Sequence, residues 1–211
     1  MRFEAAAARL ATLPDRLPAP PGALMPVRTD GGARLPPVRT AWTPARPAAV
    51  LVLVVPGDDG EAMVVLTERV DRGGHHSGEV SFPGGRAEPD DADPATTALR
   101  EAAEEVGLDP IAADVRVVGH LEPFWIPVSD YQVTPVLAIA GRRPALVASP
   151  SEVARIVEAP LAAFLPDGPI EIVEAVVRDW PLRYGAYPVE GLRVWGATAR
   201  ILGQLGALLA E

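Results

Sequence analysis

Three glutamates, Glu101, Glu104 and Glu105, fall within one helical turn of each other in a 211-residue chain of net charge −9 that has no cysteine. On a helix, at about 100° per residue, Glu101 and Glu105 lie about 40° apart around the axis, so their carboxylates reach the same point in space. Like charges at this spacing repel by roughly a few tenths of a kcal/mol in an isolated helix. The cluster is therefore either a solvated acidic face or a place for something positive. Oxygen-only donors grouped this way suit Mg²⁺ or Mn²⁺, which take one or two carboxylates and complete their shell with substrate phosphate oxygens. The helix alone does not decide between the two.

The element that must position these acids is well marked. Asp93 is a natural N-cap, Pro94 fits the first helical position, and Gly107 fits the residue just past the end. Ala95, Ala98, Leu99, Ala102 and Val106 form one apolar stripe, which must face a core, and the glutamates take the opposite flank with Arg100 beside Glu104. Upstream, 48–55 is a β-branched run, Pro56-Gly57-Asp58-Asp59-Gly60 is dense turn chemistry, and 62–66 is a second run. The pattern predicts a hairpin whose first strand is buried on both faces. Downstream, strands are expected over 115–121, 133–140 and 170–177, a short helix over 151–156, and a closing helix over 195–209. A short amphipathic helix at 3–12 precedes a Pro/Arg/Gly-rich stretch from 14 to 47, read as an extended arm or a linker. The division expected is thus a helix and Pro-rich arm over 1–47, and a mixed α/β domain over 48–211.

Composition removes several kinds of function. All 19 basic residues are arginine, which excludes Schiff-base chemistry and a lysine-dependent phosphate loop. The absence of cysteine excludes disulfides, thiol catalysis and thiolate metal sites. The acidic balance argues against a nucleic-acid partner, although a bound divalent ion would allow an anionic small substrate. No run of 18 or more apolar residues occurs, and Glu4 and Arg9 interrupt any secretory signal, so a cytoplasmic protein with no membrane partner is expected. A homodimer is left open.

Arg100-Glu101-Ala102-Ala103-Glu104-Glu105-Val106-Gly107-Leu108, preceded by Gly84-Gly85, closely resembles the Nudix box. That pattern runs Gly, five residues, Glu, seven residues, then Arg-Glu-apolar-any-Glu-Glu-any-Gly-apolar, and its second half matches at every specified position. The first half departs. With five residues between them, Gly85 is followed by Asp91 rather than Glu, and eight residues rather than seven separate it from Arg100. The longer loop with Asp, together with Ser81-Phe82-Pro83-Gly84-Gly85, is similar to the coenzyme A diphosphatase branch. So are Leu66-Thr67-Glu68-Arg69 with His76-Ser77-Gly78-Glu79-Val80, Pro127-Val128-Ser129 with Thr134-Pro135-Val136, Glu152-Val153 with Pro160-Leu161, and Val194-Trp195-Gly196-Ala197-Thr198-Ala199. The resemblance spans roughly residues 48–205. Where the branch carries Leu-Arg this chain has Gly73-Gly74, with Arg72 as the neighbouring arginine.

The resemblance implies an α/β/α sandwich with a mixed sheet and metal-dependent hydrolysis of a nucleotide diphosphate, with Mg²⁺ or Mn²⁺ as cofactor. For coenzyme A the products would be 3′,5′-adenosine diphosphate and 4′-phosphopantetheine; NADH and ADP-ribose are the alternative substrates, and a non-catalytic Nudix-like module is the remaining one. It implies Glu101 and Glu105 as metal ligands, with Glu104 a further ligand or the base that activates water. Glu152 is a second candidate base. Arg100 is expected to orient the carboxylates, and Gly84 and Gly85 to let backbone approach the diphosphate. Arg69 and Arg72 are candidate phosphate contacts. Asp91 and Glu88 are read as loop acids, His75 and His76 as structural, and Trp195 as core.

Overall fold

The computed structural model describes residues 1–31, 44–70, 79–127, 129–177 and 179–210. Three α-helices are present among them: α1 (Phe3–Leu10), α2 (Pro94–Val106) and α3 (Gly196–Ala210). Strands β1 (Val27–Arg28), β2 (Arg46–Pro56), β3 (Ala62–Arg69), β4 (Val80–Ser81), β5 (Gly84–Arg86) and β6 (Val115–His120) come from the first half of the chain. β7 (Phe124–Ile126), β8 (Tyr131–Ala140), β9 (Val153–Pro160), β10 (Glu171–Val177), β11 (Trp180–Val189) and β12 (Leu192–Val194) follow.

The main sheet runs β4-β3-β2-β8-β6, with β5 added to β2, β7 to β8 and β9 to β3. β2 and β8 are parallel and the remaining pairs antiparallel, so the sheet is mixed. The β-branched run explains why β2 lies at its centre. Ala49, Leu51, Leu53 and Val55 face one way, onto Ala98, Ala102 and Val106 of α2. Val52 and Val54 face the other way, onto a layer built from Phe3, Ala6 and Leu10 of α1 and Leu202, Leu205 and Leu209 of α3. Period-two alternation in the strand thus supplies both cores of an α/β/α sandwich.

A smaller antiparallel sheet, β1-β11-β10 with β12 on β11, stands beside the main one. Its long strand β11 is absent from the sequence reading, because its single β-branched residue is Val189, although it pairs with its chain neighbours β10 and β12 as well as with the distant β1. The first 31 residues also pack. Leu24 is fully buried, Val27 and Arg28 pair with β11, and the buried Gln204 of α3 donates to the Pro18 carbonyl at 3.0 Å.

One expected element is corrected. The helix predicted over 151–156 is a single turn, in which Glu152 and Val153 N–H both donate to Ser149 O, and the chain then enters β9. Val153, Val157 and Ala159 are buried at strand spacing against β3, a long-range pairing that outweighs the local helix signal. The ends of α2 are as expected: Asp93 accepts from Thr96 N, Pro94 is the first helical residue, and Gly107 takes φ 63°. Among the described residues, no helix is long and apolar enough to cross a membrane.

Candidate active site

The glycines of β5 bring the backbone against the acids of α2. Gly84 has φ 152°, and a Cβ there would fall 2.4 Å from Ala49 O and 2.5 Å from Val50 Cα. Only glycine fits, and its N–H donates to Glu105 Oε2 at 3.0 Å. A Cβ on Gly85 would lie 2.5 Å from Glu101 Oε1, so this second glycine makes the space that the Glu101 carboxylate occupies. Both acids therefore abut one short strand, as the helical spacing predicts.

Glu105 is almost fully buried, with 3% of its side chain exposed, and Arg69 Nη1 stands 3.5 Å from its Oε1. Burial pushes its carboxyl up to about 7. The Gly84 N–H and Arg69 pull it back, while the charges of Glu101 and Glu152 raise it further. Burial also raises Glu101, and its ion pair with Arg100 at 3.1 Å offsets part of that shift. Two carboxyls that resist ionising next to each other are a poor resting place for two negative charges. They are a good one for a hard dication, whose charge would reverse the penalty. Among the described residues no group of three or more Asp, Glu or His side chains is gathered closely enough to hold a metal ion. Two carboxylates leave the rest of a Mg²⁺ or Mn²⁺ shell to water and substrate oxygens, and on donor chemistry they fit such an ion.

Arg100 is the centre of a clamp. It donates to Asp91 Oδ1 and Oδ2 at 3.2 and 3.0 Å, to Glu104 Oε2 at 3.2 Å and to the Arg86 carbonyl at 3.1 Å. Asp91 Oδ2 also accepts from Glu88 N and the Thr97 hydroxyl, each at 2.9 Å. The Arg100 hydrogen bond is the largest of the causes that hold the Asp91 carboxyl well below the usual range. Asp91 is thus more than the loop acid of the sequence reading: it ties the loop after β5 to α2. The count from Gly85 to Asp91 was the available signal.

The acids open onto a cleft of about 850 Å³ lined by Glu101, Glu105, Glu152, Arg69, Gly84 and Gly85 among others. Glu152 enters from the turn before β9, and its carbonyl accepts from Val70 N at 3.0 Å. Glu104 is not brought to this cleft; its half-exposed carboxylate is spent on Arg100. Arg72, His75 and His76 lie outside the described residues.

Residues 45–164, more than half of the chain, match a family model described as the NUDIX domain. The chain belongs to the Nudix family. It is 42% identical over 173 residues to Nudix hydrolase 15, mitochondrial, of Arabidopsis thaliana, a match covering 78% of this chain and 59% of that protein. Nudix hydrolase 22, chloroplastic, from the same plant is 42% identical over 166 residues, covering 74% and 52%. The chain thus spans between half and three-fifths of the length of these two relatives. The uncharacterized Nudix hydrolase NudL of Salmonella newport is 39% identical over 164 residues, 76% of this chain and 81% of that one. Among solved structures, a Nudix hydrolase from M. smegmatis, RenU, aligns with a TM-score of 0.47 at 24% identity, covering 76% and 84%.

In this Nudix chain the box helix forms one end of the cleft, and aromatic side chains form much of the rest. Phe82, Phe124, Trp125, Tyr131, Trp180 and Trp195 all line it. Trp195, expected in the core, is half-buried at the cleft wall, its ring 4.9 Å from that of Tyr184. Leu24 and Met25 of the N-terminal segment, with Leu182, belong to the same lining. Arg200 of α3 also lines it, over the Phe124 ring, and sequence reasoning did not single it out. Its place in the closing helix, next to the Trp195–Ala199 segment, was the only signal.

Proposed function

We propose that this Nudix protein hydrolyses the diphosphate of coenzyme A or its acyl derivatives, using Mg²⁺ or Mn²⁺ and releasing 3′,5′-adenosine diphosphate and 4′-phosphopantetheine or its acyl form. The observation that carries the reading is one cleft that has a buried and a partly buried carboxylate, both hard to ionise, at one end and a long aromatic and apolar lining beyond them. A substrate suited to it joins a diphosphate to a nucleoside and to a long, largely uncharged arm. The coenzyme A branch is further supported by the longer loop through Asp91, which has a physical use here as the Arg100 clamp.

Glu101 and Glu105 would hold the ion. A divalent ion, when bound, supplies charge neutralisation at the diphosphate and a water of lowered pKa. Gly84 and Gly85 let the diphosphate approach the backbone, and Arg69 pairs with a phosphate oxygen when substrate competes with Glu105 for it. Arg100 orients Glu101 and keeps the loop closed over α2. Glu152, which lines the cleft, takes the proton of the water that attacks phosphorus in line. Glu104 serves as ligand or base only after leaving Arg100. Residues 48–211 form the hydrolase domain, and the 1–47 segment contributes Leu24 and Met25 to the substrate cleft.

A screen of coenzyme A, an acyl-coenzyme A, NADH and ADP-ribose with each metal tests the reading. Highest kcat/KM for a coenzyme A species is the expected result. Higher efficiency on NADH or ADP-ribose sinks the substrate assignment and leaves a Nudix pyrophosphatase. No turnover of any of them sinks the enzymatic reading.

A further inference from the structure

Glu152 stands on a turn that is hydrogen-bonded to the backbone of Glu105. We propose that Ser149 is a positioning residue of the reaction, whose N–H and carbonyl hold the base in register with the metal-binding acids, with Pro150 fixing the turn between them. The inference rests on the reading of Glu152 as the base and names the device that carries it.

Every helix ends in carbonyls that have no partner within it. At the end of α2, Gly107 turns the chain away with φ 63°, and the N–H groups of Gly107 and Leu108 return to Ala103 O and Ala102 O. The carbonyls of Val106 and Glu105 are taken instead by a segment from beyond β8. Val147 N–H donates to Val106 O at 2.9 Å, and Ser149 N–H to Glu105 O at 2.8 Å. The chain then reverses. Ser149 O accepts from Glu152 N–H at 3.0 Å and from Val153 N–H at 2.9 Å, and β9 begins at Val153. Serine followed by proline suits such a turn, because proline is already fixed near the φ of about −65° that its second position requires.

A second support comes from β3. Val70 N–H donates to Glu152 O at 3.0 Å, and Val153 pairs with Arg69, whose guanidinium stands 3.5 Å from Glu105 Oε1. Glu152 thus sits between two backbone supports that both reach Glu105, Ser149 at its carbonyl and Arg69 at its carboxylate. The Glu152 charge acts on both acids of α2, raising Glu101 and Glu105 alike. Pro150, Ser151 and Glu152 are themselves exposed, so hydrogen bonds rather than burial fix the turn. A misplacement of roughly 1 Å can cost about a hundredfold in rate, and a base on an exposed turn avoids it through this tether to the helix that carries the acids.

Ser149→Pro removes the N–H that meets Glu105 O, and Pro150→Gly loosens the turn; neither side chain lines the cleft. With coenzyme A and Mg²⁺, kcat should fall by about tenfold or more in Ser149→Pro and by a few-fold in Pro150→Gly, while KM and the Mg²⁺ activation constant stay within about twofold of wild type. Ser149→Ala keeps the N–H and carbonyl and should lose far less than Ser149→Pro. In a Glu152→Gln background both backbone variants should change kcat by less than about twofold, since no base is left to misplace. Amide hydrogen exchange reads the tether without turnover: Ser149, Glu152 and Val153 should be protected in the wild type, and all three should exchange faster in Pro150→Gly. Should Ser149→Pro not fold, Pro150→Gly carries both readouts. A loss of kcat of the same size with and without Glu152 overturns the proposal, as do a loss expressed in KM and a wild type with these amides unprotected. Near wild-type kcat in Glu152→Gln overturns the base reading and this inference with it. A large loss in Glu152→Gln beside unchanged kcat in the backbone variants overturns this inference alone.

Discussion

Replacing Glu105 by glutamine should make the metal-free protein more stable at pH 8 than the wild type, although it removes a group buried at the centre of the site. The Glu105 carboxyl stands at about 7 against an ordinary 4.5. At about 1.4 kcal/mol per tenfold, that difference amounts to about 3 kcal/mol between the protonated and ionised forms. Because the folded value is raised, the native state binds the proton more tightly than the unfolded chain. The stabilisation is complete below pH 4.5 and is lost as pH rises through 7. Glutamine stays neutral and retains an oxygen to accept from Gly84 N–H, so its stability lacks this slope. Urea unfolding of both proteins in chelator at pH 5 and pH 8 isolates the effect, since the difference between them cancels other titrating groups. The wild type should lose about 2.5 kcal/mol more than Glu105→Gln over that interval. Added Mg²⁺ should restore the wild type at pH 8 and leave the variant unchanged. A wild type and variant that differ equally at both pH values would refute the burial argument.

Other perturbations reach neighbouring parts of the site. Gly84→Ala should destabilise by about 2–4 kcal/mol in the same unfolding assay, because its Cβ meets the β2 backbone at 2.4 Å and no side chain can move aside. Asp91→Asn should keep the fold by circular dichroism yet lower kcat by about tenfold or more, since Arg100 loses the carboxylate that fixes it over Glu101. Glu152→Gln should lower kcat by about a hundredfold with the Mg²⁺ requirement unchanged, whereas Glu104→Gln should cost much less; the reverse order would transfer the base to Glu104.

The parts of this protein legible in its sequence are those whose causes are local. Asp93, Pro94 and Gly107 bound α2 by hydrogen bonds and φ preferences within a few residues, and the alanine stripe fixes which flank Glu101 and Glu105 occupy. The β-branched run of β2 announces its own burial. β9 was not legible in this way, since what makes it a strand is pairing with β3, from a distant part of the chain. β11 forms a hairpin with its neighbour β10, but it carries a single β-branched residue and is held on its other side by the distant β1. The same limit applies at the site. Helical spacing places three glutamates on one flank but cannot say that Arg100 takes Glu104 and Asp91 while Glu105 turns to Gly84 and Arg69. Nor can it show that Phe124 meets Trp195 and Arg200 in one cleft, because the short strand of the first lies some seventy residues from the start of the closing helix that brings the other two.

The most direct test of the central claim, that the Glu101–Glu105 end of the cleft cleaves a diphosphate, is the product analysis of coenzyme A hydrolysis by wild type and Glu105→Gln at saturating Mg²⁺. The expected result is stoichiometric 3′,5′-adenosine diphosphate and 4′-phosphopantetheine from the wild type, with kcat/KM in the folded variant reduced by about a hundredfold or more. Near-equal activity in the two proteins would contradict it.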